Sequence, residues 1–214
     1  GNRAHLITQT QIHEDCVIIA KGTVETEDRA GVVQGLAEVT PVRVFLRETE
    51  KTAASAAIAD LARKACPLPN IVGFHRLMNA VRDVVDYEVG ATHEHTCAAD
   101  AFSDRRGVCQ DHAHIFIAAA RAIGSPARYV NGYLFSGDDA PAEAHHAWAE
   151  VWIDDLGWVG FDCANRVCPT ERYVRLATGF DAASAAPIRG SRRGGVDEWL
   201  DVIVEVQQQS VQQQ

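Results

Sequence analysis

The sequence predicts an α+β fold in which helices pack on an antiparallel sheet. Apolar residues recur at helical spacing between residues 51 and 123, and period-two alternation takes over from residue 127. Between two of the alternating runs lies the turn DDLG at 154–157, which makes a hairpin rather than a crossover.

The elements follow in order. DCVIIAKGTVETE gives a short apolar run, then Thr23, Glu25 and Glu27 alternating with Val24 and Thr26, and VTPVRVFLRET alternates around Val42, Val44 and Leu46. Both predict strands. With little apolar mass of their own, residues 1–50 are expected to be the remainder of a β-rich N-terminal domain. Composition shifts at Lys51. KTAASAAIADLARKA is alanine-rich and favours helix, and Cys66-Pro67-Leu68-Pro69 stops it. Asn70 is the expected N-cap of a second helix carrying Phe74, Leu77, Met78, Val81 and Val85 at helical spacing. HTCAADAFSD predicts a short third helix. A fourth, after Gly107, carries Ile115, Phe116, Ala119, Ala120 and Ile123 and ends at Gly124-Ser125-Pro126. ARYVNGYLF, HHAWAEVWI and WVGFD predict strands, TERYVRLAT a short helix, and EWLDVIVEV a closing strand. The unit so predicted spans 51–206, and the glutamine-rich residues 207–214 form a low-complexity tail.

Composition narrows the function. A net charge of −9 disfavours nucleic acid and anionic membrane surfaces as partners. No apolar run approaches the ~20 residues of a membrane span, and no secretory pattern opens the chain. The six cysteines are scattered through 214 residues rather than arranged as a disulfide framework, so a reducing, cytoplasmic setting is expected. The opening GNRAHLITQ has no initiator methionine, so a signal lost upstream stays open as the alternative.

The chemistry centres on RRGVCQDHAHIFIAAARAIGSPARYV. Cys109 stands where the fourth helix begins, not inside its apolar stripe. A helix N-terminus favours a thiolate, and its free N–H groups can hold an oxyanion. From position alone two readings stand, an activated nucleophile or an inert buried thiol. A nucleophile needs a base and the base an orienting group. If the DDLG turn pairs Ile153 with Gly157, Trp148 faces Asp162 and His146 lies diagonal to Asp162 on the same face. A one-residue slip would separate them. Cys109, His146 and Asp162 are therefore the candidate catalytic residues. Gly107, Val108 and Trp148 are the candidate substrate contacts, with Gly107 expected to let substrate approach closely.

Other features have plainer explanations. His93/His95, His112/His114 and His145/His146 do not place two ligands on one helix face and lack a Cys-x-x-Cys, so no metal and no cofactor are expected. Cys163 and Cys168 are taken as ordinary thiols, Trp152 and Trp158 as cross-strand packing, and RGSRR as a solvated loop.

These motifs carry a resemblance. GVC with Asp111, HAW with Glu150-Val151, and Trp158 with Phe161-Asp162 resemble the GVC.D, HAW.EV and W..FDP.N pattern of the transglutaminase-like superfamily, more narrowly its bacterial members described as cysteine proteases. YVRLATGFD and APIRG are also similar, so the likeness runs from about Lys51 onward. Two positions depart from the pattern. Cys163 replaces the usual proline, and His112 stands where Phe or Tyr is common. The resemblance implies a papain-like transglutaminase core, with Cys109 as nucleophile, His146 as base and then acid, and Asp162 as orienter. The family does not share one reaction, so the resemblance does not choose the substrate; the leading reading is a peptide, isopeptide or glutamine-type amide processed through a thioester intermediate. Hydrolysis is preferred over crosslinking because the sequence shows no calcium loop. The alternatives are arylamine-acetyltransferase-type transfer with the same triad, or a non-catalytic interaction module on the same fold. The oligomeric state stays open.

Overall fold

The computed structural model describes residues 2–8, 17–93, 95–137, 145–190 and 202–207. Four helices pack on one face of an antiparallel four-stranded sheet. Helix α1 (Ala56–Ala65) starts at Ser55, whose hydroxyl accepts from Ile58 N–H. Helix α2 (Ile71–Val84) starts at Asn70, whose Oδ1 accepts from Gly73 N–H at 2.9 Å, as the sequence predicts. Strand β1 (Asp86–Tyr87), helix α3 (Ala98–Asp104) and strand β2 (Arg106–Gly107) lead into helix α4 (Cys109–Ala122). The parallel β1–β2 pairing ties the end of α2 to the start of α4.

Strands β3 (Ala127–Leu134), β4 (His145–Ile153), β5 (Gly157–Phe161) and β6 (Tyr173–Gly179) lie in the order β5-β4-β3-β6. Ile153 pairs with Gly157 and Ala149 with Phe161, the register the simplest turn predicts. Helix α4 is the hub, buried without interruption from Asp111 to Arg121. The small residues Ala147 and Ala149 let it lie close on β4, and its Phe116 ring packs against Phe161 at 5.3 Å and Phe74 at 6.2 Å.

His146, Trp148, Glu150 and Trp152 alternate onto the opposite face. There Glu150 is 1 % exposed and accepts from Arg128 at 2.6 Å and from Arg175 at 2.8 Å. Burial alone would raise its carboxyl, but the Arg175 and Arg128 charges outweigh that and hold it below the ordinary range. The Arg128 guanidinium also lies 4.0 Å from the centre of the Trp158 ring.

Three expectations are corrected. Among the described residues, 17–50 contain no strand. The segment at Gly31–Val33 docks on the β5 edge through a single bridge, Val32 to Val159, with a flanking bond on each side. Val42–Leu46 is a 3-10 helix, because Phe45 turns inward against Trp158 and Phe180 while the buried Arg121 guanidinium requires carbonyl acceptors. Arg121 takes those of Phe45, Ala127 and Phe180 and the hydroxyl of Thr52. TERYVRLAT supplies β6 rather than a helix, since the free edge of β3 offers backbone groups that a strand can pair. The expected closing strand begins outside the described residues, and 202–207 form none. RGSRR lies outside them from residue 191 on. Among the described residues no helix is long and apolar enough to cross a membrane.

Candidate active site

Cys109 is the first residue of α4 and is half-buried. Val108 is the N-cap, in extended conformation. It has no polar side chain, so the cap comes from Asp111, whose Oδ2 reaches back to Val108 N–H at 2.8 Å and also accepts from Thr92 Oγ1 at 2.6 Å. Asp111 N–H bonds back to Val108 O. Among the described residues no partner is found for the N–H groups of Cys109 and Gln110, the donors a helix start leaves open.

Gly107 serves this cap. A Cβ there would lie 2.7 Å from both Cβ and Oδ2 of Asp111, so its missing side chain makes room for Asp111. Gly107→Ala should push Asp111 off Val108 N–H. We expect a loss of about 1–3 kcal/mol in stability together with slower Cys109 alkylation, checked by urea denaturation and thiol labelling.

His146 begins β4 and Asp162 follows β5. His146 Nε2 lies 2.6 Å from Asp162 Oδ2, and the two side chains are 9 % and 1 % exposed. Asn165 Nδ2 lies 3.4 Å from the same Nε2, and Cys109 is close enough to the imidazole to raise it. With Nε2 committed to Asp162, Nδ1 is the nitrogen left for the sulfur. The structure therefore brings together all three residues the sequence singled out. Burial opposes a charged imidazole here, but the Asp162 and Cys109 bonds and charges overcome it and push His146 up to about 10. Burial likewise works against the Asp162 carboxylate, and its bonds to His146, Tyr173 and Asn165 hold it below the ordinary range. Trp148 is 3 % exposed and stacks on the His146 ring at 6.3 Å. It also lines a groove of about 340 Å³ with Tyr173, Gly160 and Arg175.

Two residues of this site escaped the sequence reading. Asn165 Nδ2 donates to Asp162 Oδ2 at 2.7 Å, and its backbone N–H donates to Oδ1. It had a visible signal as the last letter of the W..FDP.N pattern. Tyr173 OH donates to the same Oδ2 at 2.7 Å. It was hidden by the helical reading of its segment.

The remaining histidines and cysteines are accounted for locally. His112 is buried, with its ring nitrogens at 2.9 Å from Val108 O and 3.1 Å from Val85 O. His114 accepts from Ala182 N–H, and burial pushes it down to about 4. His145 packs on Tyr133. Among the described residues no group of three or more His, Cys, Asp or Glu could hold a metal ion. Cys163 and Cys168 are free thiols, raised by burial, Cys168 to about 11.

Helices on one face of a four-stranded antiparallel sheet, with a half-buried thiol where the central helix begins, define a transglutaminase-like fold. The chain belongs to the transglutaminase-like superfamily, whose core model matches residues 59–163. An uncharacterized protein of Mycobacterium leprae is 32 % identical over 213 residues, covering 91 % of this chain and 74 % of that protein. A crystal structure of a putative cysteine protease from Cytophaga hutchinsonii is 31 % identical with a TM-score of 0.59, over 75 % of this chain and 55 % of that one. A protein-glutamine gamma-glutamyltransferase of Pseudomonas aeruginosa is 34 % identical over 116 residues, 47 % of this chain and 16 % of that protein. The chain thus spans about half of the solved relative and a small part of the transferase.

Proposed function

We propose that this chain is a thiol-dependent acyl-transfer enzyme acting on peptide, isopeptide or glutamine-type amides. One observation carries the proposal: His146 is bonded to Asp162 and is close enough to Cys109, at a helix start, for that thiol to raise it. The Cys109 sulfur attacks the amide carbonyl carbon, a C–S bond forms, and the oxyanion is held by the free N–H groups of Cys109 and Gln110. His146, carrying the thiol proton, passes it to the leaving amine as the C–N bond breaks. The thioester is then attacked by water or by a second amine. His146 takes a proton from that nucleophile and returns it to the sulfur. Asp162 holds the imidazole in register throughout. Val108 and Trp148 flank the reacting centre as substrate contacts. We assign this chemistry to residues 51–206, in a cytoplasmic setting, with 1–50 and 207–214 as flanking segments.

The test is incubation with a glutamine-containing peptide, with and without a fluorescent primary amine, followed by mass spectrometry of intact protein and peptide. An acyl adduct on Cys109 is expected, with free acid formed in water and amide formed when amine is present. If neither adduct nor turnover is seen with any acyl-amide probe, a non-catalytic module on this fold is the better description.

A further inference from the structure

Asp162 Oδ2 carries three side-chain donors at once: His146 Nε2 at 2.6 Å, Asn165 Nδ2 at 2.7 Å and Tyr173 OH at 2.7 Å. A carboxylate oxygen has two lone pairs, so these donors compete for the same charge. Oδ1, by contrast, has only the longer bond from Asn165 N–H at 3.2 Å. An orienting carboxylate bound to histidine alone would concentrate its charge on the imidazole proton. Here two further donors draw that charge away.

We propose that Tyr173 is a positioning residue for the His146–Asp162 pair, its hydroxyl fixing the Asp162 rotamer and weakening that carboxylate's hold on the His146 proton. The proposal rests on the catalytic reading above and adds to it a reason why the imidazolium releases its proton to a leaving amine. The supporting geometry is specific. The Tyr173 ring lies edge-on to both members of the stacked His146–Trp148 pair, at 5.8 Å and 5.4 Å, so the phenol is packed against the two rings together. Strand β6 holds it there by pairing with β3. The turn bearing Asn165 is held independently. The Arg82 guanidinium donates to Ala164 O, and Arg166 donates to Asp83 and Asn79 O, all from α2. The two donors therefore reach Oδ2 from separate parts of the fold, strand β6 and the turn after β5 that α2 braces.

The charged and titratable groups facing the trio come from every side. Cys109 lies on α4, Cys163 follows Asp162, and Arg172 neighbours Tyr173. Across the groove stand Glu150 with Arg175, and Glu27 with Arg29 from the N-terminal segment beside Glu25. The carboxylates Glu150 and Glu27 are paired with arginine, so the bond from the neutral Tyr173 hydroxyl is the one altered by the test below.

The test reads the His146 Nε2–H proton by NMR in histidine-¹⁵N protein, assigned by its loss in His146→Ala. Tyr173→Phe keeps the ring and removes the donor. The resonance should move downfield as Asp162 binds the proton more tightly. Site-specific 3-fluorotyrosine at 173, a stronger donor, should move it upfield. The fluorinated protein keeps every packing contact, so this arm stands even if Tyr173→Phe fails to fold. In parallel, acylation by an amide substrate should slow in Tyr173→Phe by about three- to tenfold while alkylation by iodoacetamide, which needs no proton delivery, keeps its rate. An unmoved resonance, or shifts of the same sign in both proteins, would overturn the proposal even with Cys109 fully reactive. An unreactive Cys109 alongside opposite shifts would instead overturn the catalytic reading and leave the Tyr173 coupling standing.

Discussion

Cys109→Ala is expected to abolish acyl-adduct formation and all turnover on any amide the wild type processes, whereas Asp162→Asn should keep a slow acylation burst. The sulfur forms the covalent bond, so nothing replaces it. Asp162 forms no bond to substrate. In well-studied triads loss of the carboxylate costs on the order of 10⁴-fold in rate. The loss here should be smaller. The three donors that meet at Oδ2 favour the rotamer of the substituted side chain that puts its amide oxygen at that point and its amide nitrogen on the far side. His146 then keeps an acceptor, though an uncharged one. Both variants should still melt cooperatively as folded proteins, and single-turnover acylation with an activated acyl substrate checks the ranking. Full turnover by Cys109→Ala would move the active site elsewhere.

The second large effect falls on stability. Glu150→Gln leaves Arg128, itself 1 % exposed, without its buried counter-ion. Breaking such a pair typically costs about 3–5 kcal/mol. The low end, about 3 kcal/mol, applies because Arg128 keeps Glu38 at 2.7 Å and Arg175 is partly in contact with water. For a chain of this size that corresponds to a fall in Tm of roughly 6–12 °C. The pH dependence has a definite sign. The folded Glu150 carboxyl sits below its ordinary value of 4.5, so its contribution is complete above that value and is lost as pH falls through the folded one. The gap between wild type and Glu150→Gln should therefore be widest near neutrality and close on acidification. A gap that stays constant from about pH 7 to about pH 3 would mean that the ion pair contributes no net stability.

Much of the site was legible because parity is a strict rule in a hairpin. The turn fixes Ile153 opposite Gly157, and every side chain upstream then has its face assigned, which puts His146 and Asp162 together from the sequence alone. Helix starts were legible for a similar reason, since Asn70 and the Gly107-Val108 boundary are local chemical features. The failures arose where distant partners decide. Val42–Leu46 alternates like a strand, yet Phe45 answers to Trp158, Phe180 and Arg121, none of them near it in sequence. Tyr173–Gly179 has no turn signal to mark it as a strand, and only the open edge of β3 makes it one. Missing that strand meant missing Tyr173. The packing reason for Gly107 stayed out of sight for the same kind of reason, because it depends on the Asp111 side chain folding back one helical turn on.

Cys109 differs from the other described cysteines in a way one measurement can read. Burial raises the thiols of Cys66, Cys163 and Cys168, and Cys97 donates its S–H to Asp100 at 3.0 Å. Cys109 alone combines a helix start with a histidine partner among the described cysteines. Time-resolved iodoacetamide labelling of the folded protein at neutral pH, with peptide-level mass spectrometry of each cysteine, should find Cys109 alkylated at least about tenfold faster than Cys97, with Cys163 protected. Equal rates at Cys109 and Cys97 would contradict an activated nucleophile and, with it, the proposed enzyme.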